Sequence, residues 1–427
     1  MVKESIKANN PTLKSWIEIS PDSDFPIQNL PFGIYSTLSK SKRVGVAIGT
    51  KILDLAVLFD LGYLDSLSFC EHCFSNQFLN RMMGHGKIEI RALRDRISEL
   101  LVSSNNDLSK NEEHIKLVFD NQSDSNMHLP IQIGDYTDFY SSEQHAFNVG
   151  SMFRDPDNAL LPNWKHIPVA YHGRSSSIIA SGDPIYRPKG QQKLNDEENP
   201  IFGPTKLLDF ELEMGFITFD GKSLGEHITT EEADHYIFGM CLFNDWSARD
   251  IQKWEYVPLG PFLAKNFASS MSCWIVTLDA LEPFRTDGPT QDPKVLPYLE
   301  YKSDKHIDIN LSVSIKPPNG EEKTVCNSNY KHMYWNMNQQ LAHHSINGCN
   351  INCGDLLASG TISGPEEGSF GSMLEISWRG TKPVSMPDGS ERKFINDGDT
   401  VIFRGAASNK NYKVGFGELI SEVLPTK

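Results

Sequence analysis

The chain has 427 residues, 39% of them hydrophobic and 22% charged, with no biased tract; it reads as a folded protein too long for one core, so two domains are expected. Its formal net charge of -15 argues against a general nucleic-acid or anionic-membrane surface and requires that any anionic substrate meet a local basic pocket. Seven cysteines, an odd number spread along the chain, fit reduced thiols, and with no apolar run of about 18 residues and no apolar leader the expected address is cytoplasmic, with no membrane partner.

Short apolar runs separated by turn signals open the chain, at Gly45 to Gly49 and Ile52 to Phe59, and a helical period follows around Ile88 to Val102. Cys70-x-x-Cys73 and Cys349-x-x-x-Cys353 lie too far apart for the halves of a compact zinc module and read as core or surface thiols. Polar stretches at Ser103 to Asp107 and Asn121 to Asn126 place a boundary near residue 128, giving an N-terminal domain 1-127 and a C-terminal domain 128-427. Beyond Ile131 the sequence is rich in Gly, Pro, Trp and Tyr, with short alternating segments, which predicts a mainly β domain within an α+β protein.

Residues 134-140 hold Asp135 and Asp138 beside Tyr140 and lead into Ser141-Ser142-Glu143-Gln144, a capping signal for a short helix carrying His145. A histidine titrates near neutrality and suits a general base, although a lone one is more often structural. From Leu207 to Met214 acidic and apolar residues alternate, so a strand would put Asp209, Glu211 and Glu213 on one face. Neighbouring carboxylates repel one another and suit a hard cation, while a solvated strand face is the bland alternative.

Phe243 to Tyr256 reads as a helix that Asp245 caps and Pro258 ends. Asp245, Arg249, Gln252 and Tyr256 then share one stripe, and an Asp245-Arg249 ion pair across one turn would explain the first two alone. Lys265 follows an apolar stretch, Gly360 to Pro365 forms a flexible loop, and Glu375 sits among apolar neighbours, where a buried charge needs a partner.

The strings Asp24 to Pro31, Gly134 to Tyr140, Tyr171-His172-Gly173-Arg174, Asp209 to Glu213, Asn244 to Gly260 and Leu356 to Pro365 resemble the fumarylacetoacetase family in order and over nearly the whole chain. That resemblance implies a small SH3-like N-terminal barrel, a mixed β-roll catalytic domain and a homodimer. It also implies hydrolysis of 4-fumarylacetoacetate, a diketo-diacid, to fumarate and acetoacetate, the last step of tyrosine and phenylalanine catabolism. Calcium ligands would fall on Asp138, Glu211, Glu213 and Asp245, and magnesium contacts on Asp245, Lys265 and Ser269, the last standing where the family often has threonine. The base would be His145, oriented by Glu375, with Arg249, Gln252 and Lys265 assisting catalysis. Substrate contacts would fall on Tyr140, Arg154, Tyr171, Arg249, Gln252, Tyr256 and Thr361. A related hydrolase, decarboxylase or isomerase, and a calcium-stabilised binding protein, are the competing readings.

Overall fold

The computed structural model describes residues 6-193 and 198-427. Its main sheet centres on the strand Ile237–Asp245, which is buried along its whole length because IFGMCLFND offers apolar side chains to both faces. Leu212–Thr218 runs antiparallel on one side of it, and Ser269–Met271 and Trp274–Thr277 pair on the other. Beyond Leu212–Thr218 come Leu356–Ala358 and then Tyr136–Phe139, these two parallel, with Ala170–His172 at the edge.

The registers bring chemistry to one end of this sheet. Asp245 stands opposite Ser269, and Asp138 stands between Ala358 and Tyr171. Glu211 and Glu213 enter at the start of the strand antiparallel to the one that Asp245 ends, so all these side chains meet at the same rim.

A second sheet, formed mainly by Ile309–Lys316, Lys323–Asn329, Thr400–Ser408 and Lys413–Leu424, closes the core from behind. Phe210 meets Phe403 edge-on at 5.8 Å between the two layers. The layered α+β class with a β-rich catalytic part is the expected one.

The N-terminal strands Phe32–Ser36, Arg43–Ile48, Lys51–Asp54 and Phe119–Asn121 form an antiparallel ladder that stays open and joins the main sheet where Phe32–Ser36 pairs with Trp274–Thr277. The expected SH3-like unit is therefore continuous with the larger sheet. The apolar run from Ile52 divides at Asp54, whose carboxylate accepts from the amides of Ala56 and Val57 and starts the helix Leu55–Asp60. The helical period around residues 88-102 is the helix Gly86–Leu101. The polar stretch near residues 121-126 is not a plain linker, since Asn126–His128 pairs with Phe32–Ser36.

One expected helix is corrected. Residues 243-245 end a strand, Ser247–Ala248 forms a short bridge with Leu208–Asp209, and the helix covers only Arg249–Glu255. Asp245 therefore caps nothing; the residue preceding the helix is Ala248. Helical spacing alone could not reveal that Phe243 and Asn244 already have ladder partners on both sides.

Candidate active site

His145 lies on the helix Glu143–Phe153, whose first turn is fixed when the Ser142 hydroxyl accepts from the His145 amide at 3.2 Å. The imidazole is 3% exposed, and its Nδ1 donates to Glu375 Oε2 at 2.7 Å. That bond leaves Nε2 as the basic nitrogen. Glu375 is itself held by Asn148 at 2.9 Å, by Ser363 at 3.0 Å and by Ser372 at 2.8 Å. Burial raises the Glu375 pKa, but His145 and these donors outweigh it and hold the carboxyl below its usual range.

Across from this pair, Asp138, Glu211, Glu213 and Asp245 each offer a carboxylate oxygen, and these four atoms lie within 4.8 Å of one another, all buried. Lys265 donates to Asp245 Oδ2 at 2.6 Å and contacts Glu211; Arg249 Nη2 stands 2.8 Å from Glu211 Oε1. Asp245 also accepts from the Ser269 hydroxyl at 2.9 Å and the Tyr171 hydroxyl at 2.7 Å. The expected Asp245-Arg249 pair is replaced by Arg249 Nε on Asp209 Oδ2 at 2.8 Å, because the strand ending at Asp245 points that acid toward Lys265 instead.

The electrostatics divide the four acids. For Glu211 the burial penalty is outweighed by Lys265, Arg249 and His145, which bring its pKa down to about 2. Burial, then the neighbouring carboxylates, push Asp138 and Glu213 well above the carboxylate range. Asp138 Oδ1 and Glu213 Oε1 are buried oxygens without a hydrogen-bond donor. Lys265 and Arg249 compensate only part of a four-acid cluster, which is why Asp138 and Glu213 favour their protonated forms, and their orphaned oxygens are hard ligands once those protons leave, so the cluster fits an oxygen-seeking divalent cation.

A cavity of about 600 Å³ joins the two halves. His145, Asp138, Glu211, Glu213, Arg249, Gln252 and Lys265 line it, as do Tyr140, Arg154, Tyr171, Tyr256 and Thr361. Asp245, Ser269 and Glu375 stand behind this wall, acting through the residues they bind. Gly360 adopts φ +77°, and a Cβ there would lie 2.2 Å from the Phe139 carbonyl oxygen; its amide donates to Glu213 Oε2 at 3.0 Å. The turn thus fixes an acid and presents Thr361 at once.

Two family models match the chain, one described as fumarylacetoacetate hydrolase C-terminal over residues 135-424 and one as fumarylacetoacetase N-terminal over residues 28-130. The chain belongs to the fumarylacetoacetase family. It is 53% identical to the fumarylacetoacetase of Homo sapiens over 413 residues, covering 96% of this chain and 99% of that one. The fumarylacetoacetase of Dictyostelium discoideum is likewise 53% identical, over 97% of this chain and 98% of its own. A solved fumarylacetoacetate hydrolase from Exiguobacterium antarcticum shares the fold, with a TM-score of 0.53 at 18% identity over 93% of this chain and 99% of that one.

Asp209, the first acid of the alternation, lies outside the four-carboxylate cluster that Glu211 and Glu213 join. It holds Arg249 and accepts from the amides of Met373 and Leu374 at 2.7 and 3.0 Å at the start of the turn that carries Glu375. Of the supports of Glu375, Asn148 was likewise hidden, since it lies 227 positions away in sequence.

Proposed function

We propose that the chain hydrolyses 4-fumarylacetoacetate to fumarate and acetoacetate, closing tyrosine and phenylalanine catabolism. The observation that carries this reading is the His145-Glu375 pair facing a four-carboxylate cluster across one cavity, in a chain 53% identical to fumarylacetoacetases. His145 Nε2 takes a proton from water, and the hydroxide attacks the carbonyl beside the fumaryl group. The carbonyl electron pair moves onto oxygen, giving a tetrahedral alkoxide.

Arg249, Gln252 and Lys265 supply donors for that charge, each well-placed donor contributing on the order of 3 kcal/mol. The Gln252 oxygen accepts from Arg249 Nη1 at 3.2 Å, which turns the amide NH2 into its free donor end. Collapse re-forms the carbonyl of fumarate and breaks the carbon-carbon bond, whose electrons leave with acetoacetate; the imidazolium returns the proton to that carbon. Arg154, at the exposed end of the His145 helix, with Tyr140 and Tyr171, receives substrate carboxylate and reconciles an anionic substrate with an acidic protein.

Asp138, Glu211, Glu213 and Asp245 would hold calcium or magnesium, with Ser269 as a neutral oxygen beside Asp245. When bound, such a cation polarises the diketone oxygens and steadies the departing enolate. The carboxylates around Lys265 outweigh its burial and raise its pKa, so it serves as a charge-balancing ammonium, which has no lone pair to donate, and not as a ligand.

The test follows the near-ultraviolet absorbance of fumarylacetoacetate with chelated protein before and after magnesium or calcium is restored, alongside acylpyruvates as alternative substrates. Decay that returns with metal and yields both products supports the reading, and decay confined to acylpyruvates overturns it. His145→Ala should remove turnover while metal binding persists; unchanged activity would dismiss it as the base.

A cytoplasmic homodimer and a division into domains 1-127 and 128-427 complete the proposal. The exposed apolar group Val257, Leu259, Phe262 and Leu263 beside the cavity favours a covered surface, and a monomer in sedimentation would refute the dimer. Among the described residues, no helix is long and apolar enough to cross a membrane.

A further inference from the structure

Away from the catalytic cavity, Cys70 immediately precedes the single helical turn Glu71–Phe74 and Cys73 lies within it, with their sulfurs 3.2 Å apart. Cys70 is exposed and Cys73 is fully buried. His85 Nε2 stands 3.3 Å from Cys73 Sγ, and Phe69 packs on the His85 ring at 4.7 Å between centroids. Arg81 Nη2 lies 4.0 Å from Cys70 Sγ. One thiol is therefore open to a reagent beside a cation, and the second waits behind it beside a base.

We propose that Cys70 and Cys73 form a thiol-disulfide exchange site for low-molecular-weight disulfides, with Cys70 attacking and Cys73 resolving. The Cys70 thiolate attacks one sulfur of the small disulfide, whose S-S bond breaks and releases one thiolate carrying the electron pair. Cys73 then passes its proton to His85 Nε2 and attacks Cys70 Sγ, forming the internal disulfide; the second small thiolate leaves and takes that proton. The protein dithiol loses two electrons and two protons, and the small disulfide becomes two thiols.

Contact with the Cys73 thiol, helped by the Arg81 charge, outweighs burial and lowers the Cys70 pKa, while burial raises that of Cys73. This matches an attacking thiol in front of a protected one. A structural staple is the weaker reading, because a loop closed across two intervening residues constrains the unfolded chain little. A zinc site is weaker too: among the described residues the only close cluster of three or more potential ligands is the carboxylate group of the cavity.

The full-length reduced protein, treated anaerobically with oxidised glutathione as probe, should lose two hydrogens, and peptide mapping should link Cys70 to Cys73. Dithiothreitol should restore both thiols. Cys73→Ala should halt at a mixed disulfide on Cys70, and Cys70→Ser should slow the reaction at this motif roughly tenfold or more. His85→Ala should leave the first step intact and slow ring closure roughly three- to fourfold for each pKa unit by which Cys73 rises, the lost thiolate fraction being partly offset by its greater nucleophilicity. Mapping of the unaltered chain decides even if a variant at buried Cys73 fails to fold. A stable mixed disulfide on Cys70, oxidation falling first on Cys349 or Cys353, or no reaction would overturn the proposal.

Discussion

Asp209 shows how much one side chain can decide when it is buried between two functional groups. Its carboxylate holds Arg249 and the amides of Met373 and Leu374, so it orients a cationic donor and the Glu375 turn together. Asp209→Asn keeps the volume but loses the charge and one acceptor, leaving the buried guanidinium poorly matched. We expect kcat to fall about ten- to a hundredfold, roughly 1.4 to 2.7 kcal/mol, with cation affinity unchanged in a calorimetric titration. Unaltered kcat would show that Arg249 and Glu375 hold their places without it. His306 carries a different prediction. Its Nε2 donates to the Met333 carbonyl at 2.9 Å, and burial, with the Arg285 charge, lowers its pKa to about 4. The folded pKa lies below the unfolded one near 6.5, so the stabilising effect is full above pH 6.5 and is lost as pH falls toward 4. It amounts to at most about 3 kcal/mol. Urea midpoints at pH 7 and 4.5 should differ less for His306→Gln than for the unaltered chain; equal differences would assign the acid sensitivity elsewhere.

Elements set what the sequence could reveal. Glu211, Glu213 and His145 were legible because an alternating stretch and a capped helix start carry them, whereas the place of Asp138 on the strand Tyr136–Phe139 was not read and its ligand role came from the family resemblance. Asp245 was recognised as an acid of interest but placed on the wrong element, since residues 243-245 fit either helical spacing or a buried strand and only the two flanking ladders decide. Asn148 beside Glu375 left no local signal, because packing between distant elements brings it there, whereas Ser372 caps the very turn that carries Glu375, so the Ser372-x-x-Glu375 spacing was a local capping signal that went unused. The turn at Gly360 joins these levels. Gly360→Ala would place a methyl 2.2 Å from the Phe139 carbonyl at a backbone angle costly for any side chain, and would dislodge the amide that Glu213 accepts. A loss of about 2 to 4 kcal/mol in stability is expected, with activity falling further than Tm alone explains because Thr361 moves as well. A variant with native turnover and Tm would show that the turn can relax.

For the molecule as a whole, the carboxylate cluster is where fold and chemistry pull against each other. Asp138, Glu211, Glu213 and Asp245 arrive from three strands or their ends, so the sheet can close only by bringing like charges within 4.8 Å. Lys265 and Arg249 offset part of that repulsion, and the unpaired oxygens of Asp138 and Glu213 mark the part they leave. A cation that binds the folded chain and not the unfolded one should then raise stability by about 2.7 kcal/mol at a hundredfold excess over its Kd. Thermal unfolding of chelated protein, repeated with calcium and with magnesium, should show Tm rising with the logarithm of cation concentration. Lys265→Met removes the internal cation; the chelated variant should unfold at lower temperature than the chelated parent, and added calcium should recover more stability in the variant, because the cluster then has one cation fewer. Insensitivity of both proteins to either ion would mean that the four acids share protons instead, and the metal reading of the cavity would fall. A rise in Tm without any turnover of fumarylacetoacetate would leave the cluster as a structural staple and separate the binding-protein reading from the catalytic one.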